Sequence, residues 1–62
     1  MARFREFTIH TDDPILVNLD QVLFVRESPN VKPGVTGSNI MFAGGTNQQV
    51  LESLHDIMAA LE

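Results

Sequence analysis

Two four-residue runs in this chain, VLFV at Val22–Val25 and IMFA at Ile40–Ala43, are apolar at every position. A strand with one wet face alternates apolar and polar residues, so unbroken apolar runs predict strands that are dry on both faces. The chain has only 62 residues with which to cover them. One short helix shields one face of a small sheet. The other face needs a different cover, and a second copy of the chain is the simplest one. Val22, Phe24, Ile40 and Phe42 are therefore the expected interface residues.

Size sharpens that expectation. A domain of this length buries only about 60% of its unfolded surface, and ordering it costs roughly 1.5 kcal/mol per residue. Small domains usually add a staple. With no cysteine in the chain, a disulfide framework and a thiolate zinc site are both excluded. Oligomerisation is the common staple left, and a reducing cytoplasm is the expected compartment.

The remaining elements follow from local patterning. FREFTIH (Phe4–His10) is rich in aromatic and β-branched residues and reads as a first strand. TDDP (Thr11–Pro14) is turn chemistry, ILVN a short second strand, Leu19–Asp20 a bend, and QVLFVRE a third strand. NIMFA forms a fourth strand that ends at Gly44–Gly45. Beyond it two readings stand. The glycines suit a two-residue hairpin turn into a fifth strand over TNQQVL, whereas Thr46 with Gln49 forms a capping box that would start a helix at once. The hairpin is favoured, because Asn and Gln lead poorly into a helix that has a better cap downstream. That cap is Ser53, with Asp56 three residues on, and Leu54, Ile57, Met58 and Leu61 then follow helical spacing. The expected fold is one α+β domain over residues 1–62: an antiparallel sheet of four or five strands, then a C-terminal helix at about 53–61.

VNLDQVLFVRESPN, NIMFAGG and VLESLHDIMAAL, taken in that order, resemble the small flagellar and swarming-motility proteins of the FlbD family. They look equally like many short bacterial and phage proteins of the same layout. The match lies in Val17, Asn18, Asp20 and Val22 entering a strand, Glu27–Pro29 leaving it, Gly44–Gly45 after the next strand, and Val50, Glu52 and Ser53 leading into the helix. The resemblance implies a strand across Gln48–Leu51 and carries no functional residue with it.

Charge restricts the partners. Eight acids against four bases give a formal charge of −4. Nucleic-acid binders neutralise phosphate from a basic face, and Arg3, Arg5, Arg26 and Lys32 are scattered over three segments, so nucleic acid is not an expected partner. No stretch approaches the roughly 20 apolar residues of a membrane span. His10, Asp12 and Asp13 lie close together, but a turn explains them more simply than a metal site, which would need further ligands. His55 and the acids Asp20, Glu27, Glu52 and Asp56 lack a partnered nucleophile, so no catalytic residue, metal or cofactor is expected.

One segment stays unassigned. SPNVKPGVTGS (Ser28–Ser38) holds two prolines and two glycines, which predicts a long loop between strands. The phosphate-binding P-loop pattern fails here, since Lys32 precedes both glycines and Asn39 opens a strand. A looser anion site remains conceivable, with Arg26, Lys32, Thr36 and Ser38 meeting across a subunit boundary; the plainer reading is a solvated linker. The expected function is a small non-enzymatic binding or regulatory module that acts as a homo-oligomer through its sheet. The alternative is a phage-type oligomer that binds or sequesters a small anionic or nucleotide ligand at residues 28–38. Expected partners are thus the chain itself, with a small anion or another protein as further candidates.

Overall fold

The computed structural model describes residues 3–61. They form five strands and one C-terminal helix: β1 (Phe4–Thr8), β2 (Pro14–Asn18), a single 3-10 turn (Leu19–Gln21), β3 (Val22–Lys32), β4 (Val35–Phe42), β5 (Asn47–Val50) and α1 (Leu54–Leu61). The expected α+β architecture holds. The strands are all antiparallel and divide into a β1–β2 hairpin and a β3–β4–β5 meander.

Three turns set this topology. Ile9 N–H donates to the Asp13 carbonyl at 3.0 Å and Asp12 N–H to the Ile9 carbonyl at 2.9 Å, which closes a three-residue turn over His10–Asp12. Ala43–Gly45 repeats the pattern: Phe42 N–H donates to Thr46 O at 2.9 Å and Gly45 N–H to Phe42 O at 3.0 Å. In both, the third turn residue is left-handed, Asp12 at φ 67 and Gly45 at φ 89, the geometry of a type I turn with a bulge. The glycine pair is therefore part of a three-residue turn rather than a two-residue one. Asn47–Val50 continues as strand, not helix.

The third turn overturns the expectation of a loop at 28–38. β3 runs through Ser28 to Lys32, Pro33–Gly34 make the turn, and β4 begins at Val35. Pro33 presets the first turn angle, and Gly34 at φ 78 supplies the positive φ that a type II turn demands at its second position. Pro29 and Asn30 broke the strand pattern in the sequence, yet both fit. β3 lies at the edge of the meander, where proline costs least, and the register slips between Ser28 and Lys32 with Asn30 left-handed at φ 57.

A second bulge corrects the reading of the apolar runs. Val22 pairs with Phe42 but Phe24 pairs with Met41, so Leu23 is an extra residue. Side chains alternate between faces along each strand, and paired residues share a face. Val22, Val25, Ser38, Ile40, Phe42 and Val50 thus face inward. Phe24, Arg26, Ser28, Asn39, Met41 and Gln49 face outward. The outer face is mainly polar. Within the single chain, Leu23 and Phe24 are left exposed.

The core is Phe7 and Val17 from the hairpin, Leu19 from the 3-10 turn, Ile40 and Val50 from the meander, and Ile57 from α1. The hairpin is fastened to the meander beyond β5: Leu51 N–H donates to Thr8 O at 2.7 Å, and Thr8 N–H is shared by both Glu52 carboxylate oxygens at 2.9 and 3.1 Å. Ser38 Oγ donates to Glu52 O at 2.9 Å and holds the same segment from the other side. Ser53 caps the helix as expected, with its Oγ accepting from Asp56 N–H at 3.2 Å.

Candidate binding groove

The first apolar run lines a groove at the edge of the meander rather than an open sheet face. An open groove of about 470 Å³ separates α1 from the start of β3. One wall is Val22–Val25 with Leu19 behind it; the other is Leu54, Ile57, Met58 and Leu61 of the helix. The bulge at Leu23 builds the first wall. By inserting one residue at the edge, it presents Leu23 and Phe24 in succession instead of burying one of them. Helical spacing builds the second. Ile57 points into the core at 1% exposure, while Met58, about 100° further round the helix, stands 57% exposed. Leu23 is 65% exposed and Phe24 51%. An apolar arc wider than its own sheet can cover marks a contact surface more often than a defect.

Arg3 is the only charged residue lining the groove among the described residues. Its Nε lies 3.4 Å from Asp20 Oδ1, and its backbone N–H donates to Asp20 Oδ2 at 3.3 Å. Its charge is thereby partnered inside the chain. Among the described residues the lining holds no carboxylate, imidazole, hydroxyl or thiol.

The residues expected to bind an anion are not gathered. Ser38 is fully buried with its hydroxyl committed to Glu52 O, and it faces the core. Arg26 stands on the outer face opposite Asn39, and Thr36 is exposed near the hairpin tip. Lys32 Nζ reaches the Asp12 carboxylate at 2.9 and 3.1 Å, tying the tips of the two hairpins together. The segment is regular backbone with structural duties. Among the expected interface residues, Ile40 is corrected to a core residue at 1% exposure, because its inward face meets Phe7, Val17 and Ile57. Val22 and Phe42 are half-buried against that core, and only Phe24 is free for a contact. Leu23 and Met58 escaped the sequence reading. Met58 was expected only as one of the apolar residues at helical spacing, with no contact role.

The other polar residues have local explanations. Thr11 Oγ1 donates to Asp13 Oδ2 at 2.7 Å within its turn, and His10 and His55 are exposed. Among the described residues no three His, Asp or Glu side chains converge on a site that could hold a metal ion. No helix of the described residues is long and apolar enough to cross a membrane.

Fold and groove together define a small α+β protein with an apolar concavity between β3 and α1. No protein-family model matches the chain, and no curated protein or solved structure matches it.

Proposed function

We propose that this chain is a non-enzymatic binding module that acts as a homo-oligomer, with the groove between β3 and α1 as its contact surface. The observation that carries the proposal is the exposure of Leu23, Phe24 and Met58, between 51% and 65%, around an apolar groove. Only six apolar side chains are buried in the described chain. A core this small supplies little more than about 3–5 kcal/mol, and no disulfide reinforces it. Covering three large side chains would contribute about 1 kcal/mol each at roughly 25 cal/mol per Å², on both chains of a pair. A second copy is present whenever the chain is made, so it provides that cover without a separate partner.

Light scattering behind size-exclusion chromatography, run over a dilution series, tests the proposal. The wild type elutes as an oligomer that dissociates on dilution, and Phe24→Asp is monomeric at every loading while keeping its far-ultraviolet dichroism. A wild type that is monomeric at the highest loading overturns it.

A further inference from the structure

Leu23, Phe24 and Met58 border the groove, but two more large apolar side chains are exposed away from it. Phe4, 57% exposed, and Leu16, 71% exposed, are diagonal neighbours on the outer face of the β1–β2 hairpin, opposite the face that carries Phe7 and Val17. Leu16 lies at the centre of β2, which pairs with β1 and with no other described strand. Its second edge is therefore open. The open edge of β3 carries common defences against strand pairing: two bulges, Arg26, Glu27 and Pro29. Between Pro14 and Asn18, β2 has neither a bulge nor a charge.

The backbone bonds show what this edge offers. Ile9 N–H donates to Asp13 O and Leu19 N–H to Arg3 O, and the register between them is unbroken. Bonded and non-bonded pairs alternate along an antiparallel ladder. Ile15 and Val17 therefore turn their N–H and C=O groups to β1, while Pro14, Leu16 and Asn18 turn theirs outward. Leu16 presents both a donor and an acceptor. Pro14 presents a carbonyl only, since it has no N–H. Asn18 presents an N–H only, because as N-cap of the 3-10 turn its carbonyl accepts that turn's first bond. We propose that two copies join through this edge, β2 antiparallel to β2, about a two-fold axis at Leu16. Each Leu16 then exchanges both bonds with its copy, and each Asn18 N–H meets the Pro14 carbonyl of the other chain. Neighbouring registers fail. Centred on Ile15, the Leu16 carbonyl faces proline; centred on Val17, the Leu16 N–H faces a carbonyl already taken.

The same accounting selects a second copy as the occupant. A strand with a full set of N–H and C=O groups would leave its own carbonyl opposite Pro14 without a donor, whereas a second copy brings only what the edge can use. The side chains agree. Ile15 of each chain comes opposite Val17 of the other on the core face, and the two Leu16 side chains, each with Phe4 diagonal to it, meet on the outer face. Asp12 and Asp20 fall at the ends of the ladder and are already paired, with Lys32 and Arg3.

The inference rests on the homo-oligomer proposed above and adds a second surface to it. A five-residue ladder, roughly 17 Å long at about 3.4 Å per residue, covers less than the about 800 Å² per partner of a stable interface. It therefore joins chains that the groove has already paired, and the assembly exceeds a dimer. Light scattering at high loading should give the wild type more than twice the 6.9 kDa chain mass. Leu16→Lys puts two like charges at the axis and should fall to twice the chain mass with unchanged far-ultraviolet dichroism. Thr36→Lys, exposed on another hairpin, should keep the wild-type mass. An equal mixture of Leu16→Lys and Leu16→Glu chains should regain it. If Leu16→Lys keeps the wild-type mass, Thr36→Lys falls as far, or the mixture is not restored, the edge pairing is wrong and the groove proposal stands. A wild type of two chains only overturns it equally and leaves the edge to a strand of another protein. A monomeric wild type removes both readings.

Discussion

Gly37 is the position where one added carbon should do most harm. A Cβ built there would fall on the Val50 carbonyl oxygen, and it would also lie 3.1 Å from Val31 Cγ2. The first obstacle is backbone and has no rotamer to escape into. Relief requires β5 to move away from β4 at the Ser38–Val50 end of the pairing, where Val50 is fully buried. The Leu51–Thr8 and Ser38–Glu52 bonds depend on the same spot. Overpacking costs about 1–3 kcal/mol, and each strained hydrogen bond adds roughly 1 kcal/mol, so Gly37→Ala should destabilise by about 3 kcal/mol. A domain of this size is stable by roughly 3–9 kcal/mol in all. At about 4–8 °C per kcal/mol, the melting temperature should fall by roughly 12–24 °C. Urea unfolding followed by circular dichroism measures the change, with Gly44→Ala as control. Gly44 has open space where its Cβ would sit and no positive φ, so that variant should stay within about 0.5 kcal/mol of wild type. If Gly37→Ala unfolds at the same urea concentration as Gly44→Ala, the close approach of β4 and β5 is wrong.

Two further changes probe how the hairpins are joined. Glu52→Ala removes the acceptor for Thr8 N–H and should cost about 1–2 kcal/mol, since a part-buried donor is left without a partner. Hydrogen exchange should show the Thr8 amide losing protection while Val25 and Ile40 keep theirs; equal loss at all three would mean global unfolding instead. Lys32→Met breaks the tip-to-tip pair with Asp12, which is exposed to solvent at 39% and 65% on its two side chains. Its effect should be below about 1 kcal/mol and should vanish in high salt. A larger, salt-insensitive loss would show that the two hairpin tips depend on that pair.

The chain's local signals were sound wherever a few neighbouring residues decide the outcome. Strand-forming runs, the turn residues of TDDP, the glycines after Phe42 and the Ser53 cap could all be read from windows of about four residues, because propensity and capping act over that range. The α+β class followed from them. What could not be read was any feature set by a partner strand. Pro29 and Asn30 look like loop residues until β4 pairs beyond them and a bulge absorbs the mismatch. VLFV looks buried on both sides until the extra residue at Leu23 places Val22 and Val25 together on the inner face and leaves Leu23 and Phe24 exposed in succession. Lys32 and Asp12 meet across 20 positions, and Ser38, a plausible ligand contact in an open loop, is instead a buried tie to Glu52. The sequence by itself determined most of the segments that extend, turn or coil, but not the strand character of residues 28–32 and 35–38. Only the tertiary structure decided which side chains are left exposed, because register and bulges depend on packing between segments distant along the chain, and a shift of one residue exchanges the two faces of a strand.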